Sequence, residues 1–337
     1  MNILNINQNV SVIRDYSAGS NAITILCMDE KSKFYRKYAY GPDSDKLFQQ
    51  IEWIKRNETL LPLPQIIRKG KNESFCFYDM AYNGYQMGMF EYAHSMPIYK
   101  TWDILDRVLL KLENSIYLCE TRSATKEDIK AYYQNKIKKN IDCILNCEYL
   151  LDLQKYEFID INGVRYKNLL EYIPLLSELN ARLIFSDDPC SVIHGDLTLE
   201  NIICTRNDLG EDYFYLIDPN TGNLHDSKYL DYAKLLQSLH GEYELVKSVE
   251  HIKVNQNKVT FSYKKSIVYR ELYALYQSYL QEHFDEASIK SIYFHEIIHW
   301  LRLMPCQIKN NKGRVIAFYA RLLMLLDEIL KKYGKNI

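Results

Sequence analysis

The feature that most constrains the fold is the contrast in hydrophobic spacing between the first hundred residues and the rest of the chain. In the first part, short apolar and β-branched runs are separated by polar turns, and one stretch beginning at Asp43 has helical spacing. From Pro97 onward, apolar residues recur mainly at three–four spacing, which is typical of amphipathic helices. Strands followed by helices predict the α+β class, with a small antiparallel sheet near the N-terminus.

The length predicts more than one core. The chain has 337 residues, whereas a single hydrophobic core stops growing near ~250–300 residues. We therefore expect a bilobal molecule with a small N-terminal lobe at residues 1–82 and a mostly helical C-terminal lobe at residues 83–337.

Charge and composition argue against several classes of protein. The net charge is −1, so no basic footprint indicates a nucleic-acid partner. Residues 1–8 lack the cationic and apolar segments of a secretory signal, and no run of ~18 uncharged apolar residues predicts a membrane span. The eight cysteines are scattered and include no CxxC pair, which favours reduced thiols in a cytoplasmic protein.

One island of strand-like sequence interrupts the helical part, at residues 191–233. Asp196 lies in a loop after a short strand, Asn201 begins the next strand, and Asp218 ends the strand after that. Because a strand–turn–strand hairpin returns the chain close to itself, we expect these three side chains to face a common point. Two carboxylates and an amide oxygen suit Mg²⁺, which takes few protein ligands and keeps phosphate oxygens and water for the rest.

The spacing of these residues carries a family resemblance. His194-Gly195-Asp196 precedes Asn201 by a short loop, and Ile217-Asp218-Pro219 and Asp231-Tyr232-Ala233 follow. The pattern resembles the aminoglycoside phosphotransferase and choline kinase family, whose fold is related to protein kinases. The resemblance implies a kinase that uses ATP and Mg²⁺ to phosphorylate a hydroxyl group of a small molecule.

The same resemblance implies roles for individual residues of the island. Asp196 corresponds to the carboxylate that receives or orients the proton of the acceptor hydroxyl. Asn201 and Asp218 correspond to the metal ligands. His194 and Asp231 correspond to residues that support the catalytic loop without taking part in the chemistry.

Nucleotide-binding groups are then expected in the N-terminal lobe. A kinase needs a cation for the α- and β-phosphates, held by an acid from a helix. Arg36 and Lys37 lie on opposite faces of the third strand, and we predict that Lys37 contacts phosphate because the family usually has lysine there. Glu52 on the following helix is the predicted partner of Lys37.

Two further segments are expected to contact the nucleotide. Between the first two strands, Ser17, Gly19 and Ser20 form a turn of small residues whose backbone N–H groups could bind phosphate. Asp79 and Met80, with Ala81, are expected along the adenine edge, where their backbone groups would contact the base.

The segment after Asp218 is expected to border the acceptor. Its polar candidates are Asn220, Asn223, His225 and Asp226. Such groups hold a hydroxylated substrate through hydrogen bonds. A later histidine-rich helix that leads to Pro305 resembles family members found beside surface-polysaccharide genes. This resemblance favours a sugar or polyol as acceptor and a role in capsule or surface-polysaccharide biosynthesis, while the resemblance to the wider family also allows an amino alcohol.

A competing motif lies at residues 295–299, where His295 and His299 flank Glu296 in the HExxH pattern of zinc hydrolases. Such an enzyme needs a third ligand downstream, and the next acids, Asp327 and Glu328, belong to a different predicted helix. We therefore interpret the run as helix packing or as a wall of the acceptor pocket. A zinc hydrolase and a catalytically silent nucleotide-binding module are the alternatives.

Overall fold

The computed structural model describes residues 10–17, 22–207, 209–309 and 312–334. The chain divides into two compact units, and each is formed by two separate segments. The first unit comprises Met1–Ile116 and His194–Asn223, and the second comprises Tyr117–Ile193 and Leu224–Ile337. An antiparallel sheet near the N-terminus and a helical C-terminal part confirm the predicted α+β class.

The strands in the described ranges are β1 (Ser11–Asp15), β2 (Ile23–Met28), β3 (Lys33–Tyr40), β4 (Ile66–Lys71), β5 (Phe75–Ala81), β6 (Gln86–Gly88), β7 (Arg122–Ser123), β8 (Phe158–Ile161), β9 (Val164–Lys167), β10 (Pro189–Cys190), β11 (Ile202–Arg206), β12 (Asp212–Leu216), β13 (His251–Asn255) and β14 (Lys258–Ser262). The α-helices are α1 (Pro42–Asn57), α2 (Met89–Ser95), α3 (Ile98–Glu113), α4 (Lys126–Tyr132), α5 (Lys139–Leu145), α6 (Leu151–Gln154), α7 (Leu169–Tyr172), α8 (Glu178–Phe185), α9 (Tyr229–Leu239), α10 (Tyr243–Val246), α11 (Ile267–His283), α12 (Glu286–Ile308) and α13 (Lys312–Tyr333).

The first unit is built on a five-stranded sheet in the order β1-β2-β3-β5-β4, in which every neighbouring pair is antiparallel. Helix α1 lies against β3 and β5. It begins with Pro42, which suits a first helical position, and it buries a stripe formed by Leu47, Ile51 and Ile54. A second sheet of the same unit has the order β12-β11-β6 and places the hairpin β11–β12 next to the polar island.

The second unit is mainly helical. Helix α12 packs against α9 and α13, and its residues 291–301 are buried on all sides, as expected of a central helix. A four-stranded sheet in the order β13-β14-β8-β9 accompanies the helices, and β8 pairs with β14 in parallel. No helix in the described ranges combines the length and the apolar character that crossing a bilayer would require.

Candidate active site

His194 anchors the loop that carries Asp196. Its ring is fully buried, and Nε2 lies 2.9 Å from the carbonyl oxygen of Ile217, while Nδ1 lies 3.3 Å from the backbone N–H of Asp196. Burial lowers the pKa of His194 to about 4, so the ring is neutral at pH 7. In the tautomer that satisfies both contacts, Nε2–H donates to Ile217 and Nδ1 accepts from Asp196. The ring therefore ties the loop to the end of β12.

Asn201 holds Asp196 directly. The side-chain nitrogen of Asn201 donates to the backbone carbonyl of Asp196 at 2.7 Å and to its carboxylate oxygen Oδ2 at 3.0 Å. The backbone carbonyl of Asn201 accepts a hydrogen bond from the N–H of Ile217 at 3.0 Å. Asp196 and Asn201 are thus in contact with each other, and Asn201 is bonded to the residue that precedes Asp218.

Asp218 directly follows Ile217 in a strained backbone conformation. Its φ is 58°, in the left-handed region that non-glycine residues rarely adopt at a cost of about 1–3 kcal/mol. Its carboxylate lies 2.5 Å from Nζ of Lys37, and 34% of its side chain is exposed, compared with 5% for Lys37. The first unit therefore combines a loop carboxylate, an amide and a lysine-paired carboxylate in one set of connected contacts.

Arg36, the neighbour of Lys37 on β3, has a different partner. Its guanidinium donates to both carboxylate oxygens of Asp79, at 2.8 and 2.9 Å, and Arg68 donates to the same carboxylate at 2.8 Å. Asp79 is fully buried. Lys37, rather than Arg36, is the cation that lies beside Asp218, as the alternation of side chains along a strand requires.

The expectation that Asp79, Met80 and Ala81 offer backbone groups to adenine needs correction. β5 is flanked on both sides by β3 and β4, and Asp79 and Met80 pair with residues of both neighbouring strands. The N–H of Ala81 donates to the carbonyl of Gln65 at 3.0 Å. Because the sheet already uses these groups, an adenine-binding backbone would have to come from the residues that follow β5.

The predicted pair between Lys37 and Glu52 is also wrong. Glu52 is exposed and pairs with Lys69 at 3.1 Å. A side chain of α1 that does hydrogen-bond within the site is Gln50, which donates to the carbonyl of Pro219 at 2.9 Å and accepts from the hydroxyl of Tyr78 at 3.3 Å. Helical phase explains the difference, since Gln50 adjoins the buried stripe of α1 and Glu52 lies on the opposite side.

Sequence reasoning also missed Trp53 and Tyr78. Trp53, on α1, packs edge-to-face against His194 with ring centroids 6.0 Å apart. Tyr78 is buried on β5 and lies opposite Lys37 in the strand register. The helical stripe of α1 could have indicated Trp53, because position 53 flanks it on the same side as Gln50. The side-chain contact made by Tyr78 depends on how the helix packs on the sheet, which no local pattern reveals.

The predicted phosphate-binding turn is only partly described. Ser17 donates its backbone N–H to Asp15 at 2.7 Å, and its hydroxyl accepts from the N–H of Thr24 at 3.2 Å. Gly19 and Ser20 lie outside the described residues. Phosphate binding by this turn stays a prediction.

Asn220 and Asn223 form a polar turn next to the loop that carries Asp196. The N–H of Asn220 donates to the carbonyl of His194 at 2.8 Å, and the side chains of the two asparagines bond to each other and to the backbone of the turn. The turn packs on Gly195, whose φ is 77°. Part of their hydrogen-bonding capacity is therefore structural, and contact with an acceptor stays a prediction for both residues.

Gly195→Ala is expected to disturb the loop. An added Cβ would lie 2.3 Å from the side-chain nitrogen of Asn223 and 2.5 Å from the carbonyl oxygen of Asn220, in a left-handed conformation that costs an L-residue about 1–2 kcal/mol. We expect a lower thermal midpoint and weaker nucleotide binding. Gly88→Ala is the matched control, since nothing lies within 4 Å of its Cβ position. Equal thermal midpoints for the two variants would contradict the close packing at Gly195.

The remaining predicted residues belong to the second unit. His225 is fully buried and bonds to Asp188 at 2.8 Å, so it offers no exposed group to an acceptor, contrary to expectation. Asp226 is partly buried, and its backbone carbonyl accepts from the N–H of Ser191 at 2.9 Å. Asp231 is fully buried and accepts from the hydroxyl of Tyr117 at 2.9 Å. The roles predicted for Asp226 and Asp231 stay predictions.

The HExxH run does not form the arrangement that the alternative of a zinc hydrolase requires. Both histidines lie on the buried helix α12, but His295 contacts Asp188 at 2.7 Å, whereas Nε2 of His299 donates to the carbonyl of Leu230 at 3.0 Å. Glu296 instead accepts from His240 at 2.8 Å. The three motif residues therefore serve three separate contacts within the second unit.

Comparison with known proteins gives the fold. The sequence matches no protein-family model and has no significant match among curated proteins. Among solved structures, a thermostable mutant of aminoglycoside phosphotransferase APH(4)-Ia in complex with AMP-PNP and hygromycin B is 10% identical, with a TM-score of 0.56 over 97% of this chain and 96% of that chain. A protein of Haemophilus somnus 129PT assigned as a fructosamine-3-kinase is 12% identical, with a TM-score of 0.50 over 95% and 90% of the two chains.

The chain has the protein-kinase-like fold of the aminoglycoside phosphotransferases. This fold confirms the architecture that the island at residues 191–233 implied. At these identities the likeness concerns the fold alone, so function has to be argued from the side chains of the site.

Proposed function

We propose that the protein is a small-molecule kinase that transfers the γ-phosphoryl group of ATP to a hydroxyl group. The observation that carries this proposal is the connected set Asp196, Asn201, Asp218 and Lys37 in the first unit. Phosphoryl transfer needs little covalent chemistry from a protein, but it needs positioning and charge stabilisation. These four side chains supply a base, two metal ligands and a cation.

Mg²⁺ fits the residues that are present. The side-chain nitrogen of Asn201 donates to Asp196, so the amide atom left to bind a metal is the oxygen. Asp218 contributes a partly exposed carboxylate. Oxygen ligands of this number and type suit a magnesium ion that retains water and phosphate oxygens. When bound, Mg²⁺ would neutralise charge on the phosphate oxygens.

The other roles in the proposed reaction belong to side chains of the protein. Asp196, held by Asn201, accepts the proton of the acceptor hydroxyl at its carboxylate. Lys37 binds phosphate oxygens after exchanging its contact with Asp218 for the nucleotide. Gln50 orients the chain segment that follows Asp218, through the carbonyl of Pro219. Because Gln50 is neutral, the lysine has no counter-charge from α1 and depends on Asp218.

The acceptor class is proposed on chemical grounds. Asn220, Asn223 and Asp226 are polar groups that suit a hydroxylated molecule such as a sugar, polyol or amino alcohol. A place in capsule or surface-polysaccharide biosynthesis, and a location in the cytoplasm where ATP is made, accord with this class of acceptor.

The test is a phosphorylation screen. The purified protein is incubated with ATP and Mg²⁺ together with individual sugars, polyols and amino alcohols, and products are detected by mass spectrometry. The proposal expects an 80-dalton gain on at least one acceptor, dependent on Mg²⁺. A protein that binds ATP with Mg²⁺ but phosphorylates none of these compounds would instead support a catalytically silent nucleotide-binding module.

A further inference from the structure

A buried group of two histidines and one carboxylate lies in the second unit, within contacts that do not involve the proposed kinase residues. Oδ2 of Asp188 lies 2.8 Å from Nε2 of His225 and 2.7 Å from Nε2 of His295. All three residues are buried, with 0–2% of their surface exposed. They come from the segment between α8 and β10, the segment before α9 and the middle of α12, so tertiary folding gathers them.

We propose that Asp188, His225 and His295 bind a divalent transition-metal ion of the zinc class. Their three potential ligand atoms lie within 4.8 Å of one another. Zn²⁺ is commonly held by two histidines and a carboxylate with one position left open, at about 2.0–2.2 Å from each ligand. Imidazole nitrogens combined with one carboxylate oxygen favour this class of ion over Mg²⁺ or Ca²⁺.

The surroundings supply the outer contacts that metal ligands usually have. The other carboxylate oxygen of Asp188 accepts a hydrogen bond from the hydroxyl of Ser291 at 2.6 Å. Nδ1 of His295 lies 3.0 Å from the hydroxyl of Tyr132, and the ring of His295 stacks on Phe185 at 4.2 Å between centroids. Such contacts orient a metal-bound carboxylate and imidazole.

Both imidazoles can present Nε2 to a cation. A metal-bound Nε2 carries no proton, so the ring proton must move to Nδ1. For His295, the Tyr132 hydroxyl can accept from Nδ1–H as readily as it can donate to Nδ1. For His225, no hydrogen bond to Nδ1 is recorded among the described residues, so no existing contact opposes the change of tautomer.

Charge and access support the same proposal. Within the described ranges, the ion pairs of Asp188 are with His225 and His295, so its buried carboxylate has no permanently charged partner among them. A buried carboxylate is costly unless a cation compensates it. Asp188 also lines a cavity of about 390 Å³ together with Asp187 and Lys228, so one of the three residues borders open space.

The experiment measures metal on the protein itself and does not depend on kinase activity. Protein purified without a histidine tag is expected to contain about one equivalent of zinc-class metal per chain, measured by inductively coupled plasma mass spectrometry. After chelation, titration with Co²⁺ should produce visible absorption bands and raise the thermal midpoint. A metal content below about a tenth of an equivalent, with no response of the wild-type protein to Co²⁺ or Zn²⁺, would overturn the proposal. The three residues would then be a hydrogen-bonded cluster that serves packing alone.

Variants identify the ligands. Asp188→Asn is expected to lower metal content at least tenfold, and Ser291→Ala should weaken Co²⁺ affinity about 10–100-fold, as for other outer contacts of metal sites. His299→Gln, a matched change on the same buried helix, should leave metal content unchanged. If Asp188→Asn retains the metal, the metal is bound elsewhere and the proposed site is contradicted. Loss of metal in His299→Gln but not in Asp188→Asn would lead to the same conclusion.

Discussion

Asp196→Asn is expected to reduce phosphoryl transfer about 10²–10⁴-fold, the usual contribution of a positioned general base. An asparagine keeps the shape of the side chain and still offers an oxygen to the amide of Asn201, which now donates to Asp196 at 3.0 Å. The fold and nucleotide binding should therefore survive. Initial rates with the acceptor found in the screen, together with the thermal midpoint and nucleotide affinity, measure the effect.

Glu52→Gln is the matched control for that variant. Glu52 is an exposed acid that, within the described part of the chain, forms an ion pair with Lys69, so its replacement should leave the rate unchanged. Such exposed pairs contribute about 0–1 kcal/mol. A rate for Asp196→Asn within threefold of wild type would exclude Asp196 as the base. A rate loss of equal size in Glu52→Gln would show that the assay responds to α1 rather than to the chemistry.

Asp79→Asn is expected to destabilise the first unit by about 3–5 kcal/mol, because it leaves a buried arginine without its counter-charge. Arg36 is 3% exposed and Asp79 is fully buried. Arg68, which also donates to Asp79, would lose the same partner. The midpoint of urea unfolding, followed by circular dichroism, measures the change.

Asp45→Asn provides the comparison for Asp79→Asn. Asp45 pairs with Lys71 at 2.8 Å, but 71% of its side chain is exposed, so the loss should stay below about 1 kcal/mol. Equal unfolding midpoints for the two variants would contradict a structural role for the Arg36–Asp79 pair. They would also reopen the possibility that Asp79 serves the nucleotide instead.

The contacts within the island at residues 191–233 were predictable because their signal is local. Asp196, Asn201 and Asp218 fall within one loop and one hairpin, so their spacing along the chain nearly fixes their positions in space. Lys37 could be chosen over Arg36 in part from the family pattern, and strand alternation separated the two faces. Apart from the family pattern, these inferences needed only residues close together in the sequence and one type of element.

The errors in the site arise where two elements must be combined. Glu52 was chosen by sequence separation, whereas the phase of α1 turns Gln50 towards the site. Asp79 was predicted to lie along the edge of adenine. Its strand instead pairs with β3 and β4, which place Arg36 and Arg68 against its carboxylate. The contact between His225 and Asp188 joins residues 37 positions apart and has no local signature.

The fold shows the same limit. The three–four spacing after Pro97 predicts helices throughout, but β9, α7, a 3₁₀ segment with Pro174 in its first turn and α8 with Ser177 as its N-cap follow one another between residues 164 and 185. Proline lacks a backbone hydrogen-bond donor, and a serine N-cap begins a new helix, so the chain is interrupted between α7 and α8. The apolar spacing continues across this interruption and did not reveal it. Strands β13 and β14 were missed, and the histidine-rich helix does not stop at Pro305, which lies inside α12.

The most direct test of the central claim is equilibrium binding of a non-hydrolysable ATP analogue, measured by calorimetry with and without Mg²⁺. We expect the wild-type protein to bind the analogue more tightly with Mg²⁺ than without it. Lys37→Met should weaken binding at least tenfold, and Asp218→Asn should abolish the effect of Mg²⁺. Binding that is absent from the wild-type protein, or unchanged in both variants, would contradict a phosphoryl-transfer site built from Lys37, Asn201 and Asp218.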